Sequence, residues 1–182
     1  TPFGSAVTLT VALGWLAALA GMTFGLKRNL ELSQSKVIAA SRGFFGVLKV
    51  TEKQIPGSEK FRSLLHGKTI HGLQFASAAR KKRATAYFHP LSGVGRAFEF
   101  LPQRQGASQQ PIHAGVLGLG IGTLAAYAQP GDHLRFYEIN PQVVDLAKSH
   151  FTYLKDCKGD VEIILGDGRI SLESELRAGM EN

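Results

Sequence analysis

Residues His113 to Thr123, HAGVLGLGIGT, constrain this chain more than any other stretch. An apolar run, Ala114 to Leu117, breaks into Gly118, Gly120 and Gly122 and then into Thr123, Leu124 and two alanines, which spells a buried strand, a tight glycine loop and a helix start. Glycine suits such a loop because side chains would hold a ligand away from the backbone and because the turn can demand positive φ. The helix that follows would aim free N–H groups and its dipole at whatever lies in the loop. The dinucleotide fingerprint wants its third glycine one place beyond Gly122, where this chain has Thr123. A second strand, His133 to Tyr137, follows the Pro130-Gly131 turn and ends on Glu138, where an acidic side chain can accept both hydroxyls of a ribose. No lysine or arginine in the loop awaits a diphosphate. Together these features favour an adenosine ligand without a diphosphate, such as S-adenosylmethionine or a relative, over NAD. Against that stands a strand-turn-helix with no ligand, because a glycine motif alone is weak and gains force only from the acidic strand end.

The rest of the nucleotide fold follows in order. Asn140 and Pro141 supply the cap and first position of a helix that runs to about Phe151. Val161 to Leu165 forms a third strand ending in Gly166, Asp167 and Gly168, which puts Asp167 on the rim where open α/β sheets bind ligands. That aspartate either accepts the adenine amino group or caps the helix beginning near Ile170. Upstream, Lys36 to Ala40 and Phe44 to Thr51 read as strands, Gln54 to Lys60 as a Pro-Gly loop, and Phe61 to Phe75 as two strand-like runs around Gly67 and Gly72. A small antiparallel β unit is expected there, then a helix over Gly93 to Leu101 and a polar linker over Pro102 to Pro111.

Thr1 to Leu26 carries no charged residue and is long enough to span a bilayer, which takes about 20 apolar residues. Lys27 and Arg28 follow the apolar run, unlike the charges of a cleavable leader, and the positive-inside tendency places everything after Arg28 in the cytoplasm. The expected location is the cytoplasmic membrane, with a buried helix of a soluble domain as the alternative. The chain begins without methionine and stops inside an expected helix, so a piece of a longer protein is expected. Its parts are a transmembrane helix over 1–28, a linker and β-rich unit over 29–110, and a nucleoside-binding domain over 111–182. Asn29 to Ser35 reads as part of that linker.

The formal net charge of +7 suits an anionic partner. No aromatic-and-basic stripe or nucleic-acid motif accompanies it, so membrane lipid is the expected partner and nucleic acid is not. Arg80, Lys81, Lys82 and Arg83 form either a solvated loop or a contact with anionic headgroups, worth about 1 kcal/mol per basic residue at the surface. The single cysteine, Cys157, cannot form an internal disulfide, and with no His or second Cys at ligand spacing no metal site is expected.

GVLGLGIGTLAAYAQPGDHLRFYEINPQVVDLAK followed by VEIILGDGRISLE resembles the nucleoside-binding half of the spermidine synthases, the aminopropyltransferases. The likeness is greatest to bacterial proteins that fuse a multi-span transporter-like membrane domain to a spermidine synthase-like domain. LLHGKTIHGLQF resembles the strand pair that ends D-G-x-x-Q in the synthases, and RATAYFHPLSGVG the F-x-Y-H-E segment after it. The resemblance covers roughly Ser41 to Glu173. It implies an α/β, Rossmann-like fold of the S-adenosylmethionine-dependent transferases, with a truncated parallel sheet. It also implies that Gly118, Gly120 and Gly122 form the cofactor loop, that Glu138 holds the ribose and Asp167 the adenine, that Gln74 contacts the cofactor, and that Tyr87 lies beside the attacking amine. His71 and His89 are either acid-base groups or structural histidines. The synthases commonly dimerise, so a homodimer is implied as well.

Two departures bear on activity. The synthase loop usually reads G-G-G-D-G, and Ile121 stands where that aspartate should be; the glutamate of Y-H-E is also missing, with His89 and Pro90 in its neighbourhood. A polyamine site needs carboxylates to hold cationic amines. The expected reaction moves an aminopropyl group from decarboxylated S-adenosylmethionine to an amine such as putrescine and releases methylthioadenosine. In the synthases the proton acceptor is an aspartate after a fourth strand, so this stretch by itself is expected to be inactive and to expose a sheet edge at Val116. The rivals are a methyltransferase using S-adenosylmethionine and a non-catalytic domain that senses nucleoside or polyamine for an attached membrane domain.

Overall fold

The computed structural model describes residues 2–33, 35–54, 57–101 and 110–179, with side chains of the first helix described over 11–28. The chain divides into two units, Thr1–Ser35 and Lys36–Asn182. The first is a single helix, α1, Pro2–Ser33, which runs on through the residues expected to begin a linker. The expected transmembrane helix is corrected here, because no helix among the described residues is long and apolar enough to cross a membrane. The reason is dilution: within residues 11–28, whose side chains are described, the uncharged stretch Val11 to Leu26 runs into Lys27 and Arg28. Gly14, Gly21 and Gly25 dilute it, and the Thr23 hydroxyl donates to the Leu19 carbonyl at 2.9 Å. The remainder of the expected span, residues 1–10, lies outside the described side chains.

The second unit holds both expected lobes. Its antiparallel part is a four-stranded meander of β1 (Lys36–Gly43), β2 (Gly46–Gln54), β3 (Lys60–His66) and β4 (Thr69–Phe75), in that order. Gly67, at φ 60°, turns β3 into β4 over the two residues a tight hairpin allows. Residues 55–56 of the Pro-Gly loop, and 102–109 of the polar linker, lie outside the described residues. Between meander and nucleotide fold runs α2, Gly93–Phe100, whose Ser92 hydroxyl caps it by accepting from Gly95 N–H.

The parallel part is a three-stranded sheet of β5 (His113–Leu117), β6 (His133–Glu138) and β7 (Asp160–Leu165), ordered β5-β6-β7, with α3 (Pro141–His150) after β6 and α4 (Gly168–Arg177) after β7. Among the described residues β5 pairs with β6 and with no strand on its other side. Leu134 and Phe136 of β6 are almost fully buried and share one core with Leu48, Val50 and Leu64 of the meander and Ile121 of the glycine loop. The meander is thereby packed onto the loop side of the parallel sheet, and that packing creates the site.

Candidate functional site

β5 ends at Leu117 and the backbone turns through Gly118, Gly120 and Gly122, each at positive φ (89°, 57° and 76°). Two of these positions need glycine twice over. A Cβ on Gly120 would lie 3.0 Å from the His71 carbonyl oxygen, and one on Gly122 would lie 2.7 Å from Leu154 Cδ2. The helix expected after the loop is instead a five-residue 3-10 segment, Thr123–Tyr127. Pro130 and Gly131 follow too soon for a longer helix, and buried Asp132 fixes the exit by accepting from Gln129 N–H (2.6 Å) and Ile112 N–H (3.0 Å). A segment this short contributes little macrodipole, and within the loop the Gly118, Leu119 and Gly122 amides already donate to the Tyr137 carbonyl, the Glu138 carboxylate and the Leu119 carbonyl. Thr123, at the fingerprint's third-glycine position, is buried, and its hydroxyl has no hydrogen-bond partner among the described residues.

Glu138 closes β6 and is 8% exposed. Its Oε2 accepts from Leu119 N–H in the glycine loop and its Oε1 from Asn140 N–H at the start of α3, both at 2.9 Å. One carboxylate therefore clamps the loop to the following helix. Each oxygen retains lone-pair capacity, enough to accept a hydroxyl as well. Two cavities meet at Gly118, Glu138 and Ile139: one of about 280 Å³ toward the meander and one of about 260 Å³ over the carboxyl ends of the strands. Asp167 lines the second cavity. Its Oδ1 accepts from Arg169 N–H (2.9 Å) and Ile170 N–H (3.1 Å), so it caps α4 while standing at the cavity's edge. The half-exposed Ile139 side chain lies between the two ribs of the site and offers a flat apolar contact.

The meander supplies the opposite wall, with Phe45, Leu48, Leu64, His66 and His71. Register shows why His71 is there. Leu64 pairs with Gly72 and Leu65 with Ile70, so His71 is the extra residue of a β-bulge. Its carbonyl, freed from the ladder, accepts the Tyr87 hydroxyl at 3.1 Å. That brings Tyr87 to the same carbonyl that crowds Gly120, and so beside the glycine loop. Burial pushes the Tyr87 phenol above its ordinary value, which keeps it a neutral hydrogen-bonding group. It follows Ala86, held at φ 53°, the left-handed region that alanine rarely occupies.

Gln74 is not brought to either cavity. Its amide donates to the Lys81 carbonyl (2.9 Å) and Thr152 Oγ1 (3.0 Å) and accepts from Thr152 N–H (3.0 Å), so a buried side chain with three bonds ties β4 to the segment after α3. Ile121 does not face the cavity either: it is 1% exposed, and a Cβ on Gly72 would lie 2.4 Å from its Cγ1. His89 Nδ1 accepts from Leu91 N–H at 3.2 Å and shapes the turn before α2. In the basic run, Arg80 pairs with Glu59 at 2.7 Å and lies over the Phe75 ring, while Lys81 pairs with Asp156 at 3.1 Å. Half of that run holds the fold together.

Sequence reasoning missed His66 and Phe45 as cavity residues. Both come from hairpins whose meeting with the glycine loop depends on tertiary packing, and no local signal marks them. Gly46, at φ 111°, is the one hint, since a Cβ there would lie 2.8 Å from His66 Nε2, and its absence lets that ring reach the Phe45 carbonyl. No protein-family model matches the chain, and no curated protein matches it.

Proposed function

We propose that this chain binds the adenosyl part of a sulfonium donor and serves as the nucleoside-binding half of a spermidine synthase-like transferase. The observation that carries the reading is Glu138: a buried carboxylate at the end of the second parallel strand, bonded to the glycine loop and to the start of α3, with a cavity on either side. Ribose hydroxyls on that carboxylate would leave adenine over Ile139 toward Asp167 and the sulfonium side toward the meander. Thr123, filling the place of a third glycine, supports a ligand without a diphosphate. In the proposed reaction a neutral amine attacks the methylene next to the sulfonium, and methylthioadenosine leaves. Tyr87 contributes a hydrogen bond that orients the amine, its proton being committed to the His71 carbonyl.

Methyl transfer from S-adenosylmethionine is the second reading, favoured by one observation. Among the described residues Glu138 is the sole acid lining the 280 Å³ cavity, and the ribose would take it, so no further described carboxylate there holds a cationic amine. The test is a product assay on the protein expressed from its complete gene, given putrescine with either donor and read by mass spectrometry. Methylthioadenosine with an aminopropylated amine, reduced in Tyr87→Phe, supports the first reading. S-adenosylhomocysteine with a methylated amine supports the second, and no product from either donor contradicts both.

A further inference from the structure

The meander is more than a wall. His71 is the bulged residue of β4, and bulges beside active sites re-aim a side chain that regular pairing would direct elsewhere. His71 lines the cavity that Glu138, Gly118 and Gly120 also line, and its carbonyl sits against the glycine loop with the Tyr87 hydroxyl on it. The neighbouring His66 ring, 5.7 Å away between centroids, is tied through Nε2 to the Phe45 carbonyl. The His71 ring makes no such bond to the described residues and so keeps a nitrogen for a ligand. The carboxylates of the two cavities are accounted for. Both oxygens of Glu138 take backbone N–H groups and the ribose would take the rest, while Asp167 belongs to the other cavity and caps α4.

We infer that the His71 imidazole takes the proton of the acceptor amine in this site, an inference that rests on the sulfonium-donor reading above. The amine nitrogen's lone pair forms the new N–C bond as the C–S bond breaks. That bonding pair goes to sulfur and leaves a neutral thioether, and the N–H proton passes to the free imidazole nitrogen. The bookkeeping is the same whether the transferred group is aminopropyl or methyl. A positioned histidine in this role contributes about 10²- to 10⁴-fold in rate.

The test uses the protein from its complete gene, saturated with methylthioadenosine, and follows the imidazole resonances by NMR as putrescine or n-butylamine is added. A shift of the His71 signals with either amine, together with a His71→Gln variant that binds methylthioadenosine as tightly as the parent but turns over at least about 100-fold more slowly, supports the inference. Unmoved His71 signals with both amines overturn it, as does a His71→Gln variant with undiminished kcat. Failure to bind methylthioadenosine at all would instead sink the nucleoside reading, so the two failures are told apart by the first titration.

Discussion

Ile121 and Gly72 are two halves of one packing decision, made at positions far apart in the sequence. The isoleucine side chain occupies the volume that a β4 side chain would fill, which locks the glycine loop against the meander. Gly72→Ala should therefore cost about 1–3 kcal/mol by overpacking, and Ile121→Ala about 2–5 kcal/mol by opening a cavity. In the double variant the new methyl group enters the vacated space, so the combined loss in urea denaturation should fall short of the sum by more than about 1 kcal/mol. Strict additivity would contradict the contact. This pair also shows where sequence reading stops. Gly118, Gly120, Gly122 and Glu138 are legible because loop and strand-end chemistry is local, and Ile121 was legible as a departure from a synthase loop. That its side chain turns into the core depends on β4, and no local pattern carries that.

At the scale of elements, the helix caps were the most legible features and the helix after the loop the least. Asn140 and Pro141 announce α3, and Asn140 Oδ1 does accept from Gln142 N–H at 3.0 Å. Gln142 then reaches the Arg42 carbonyl at 3.1 Å, joining α3 to the β1-β2 hairpin beside the cavity. Thr123 to Tyr127 looked like a helix start because Leu124, Ala125 and Ala126 are good helix formers, but the Pro-Gly turn and Asp132 stop it after a single 3-10 segment. The N-terminal stretch misled for the opposite reason: an uncharged run of sufficient length suggested a span, while no helix among the described residues is long and apolar enough to cross a membrane. Asp167 stood between a cap and an adenine contact, and the two roles separate experimentally. Asp167→Asn keeps the Oδ1 acceptor and should leave thermal stability nearly unchanged, whereas Asp167→Ala should lose about 1 kcal/mol. If the carboxylate also receives the adenine amino group, both variants weaken methylthioadenosine binding; if it only caps, Asp167→Asn binds like the parent.

For the whole second unit, charge is distributed to hold the two sheets and their connections. Hydrogen bonds from Lys60 and Arg62 keep the Glu52 carboxyl below its ordinary value, the Thr152 hydroxyl and then Lys81 do so for Asp156, and Arg135 does so for Glu162. Each carboxyl binds fewer protons folded than unfolded. Its contribution is thus complete above the unfolded-state value of about 4 and is lost as pH falls through the lowered folded-state value. Melting temperature should hold between pH 7 and 5 and drop below about pH 4. Glu52→Gln and Asp156→Asn should each flatten that acid limb, and an unchanged limb in the pair would contradict the assignment. The same unit carries one β5 edge and two cavities that meet at Glu138, so its architecture and its proposed chemistry converge on a single carboxylate.

The most direct test of that convergence is calorimetric titration of methylthioadenosine into the parent protein and into Glu138→Gln, with circular dichroism to establish that both are folded. Hydrogen bonds to a charged acceptor are worth about 1.5–3 kcal/mol, so saturable one-site binding should weaken about 10- to 100-fold in the variant. Binding that is equally tight in a folded Glu138→Gln, or absent from the parent, would contradict it.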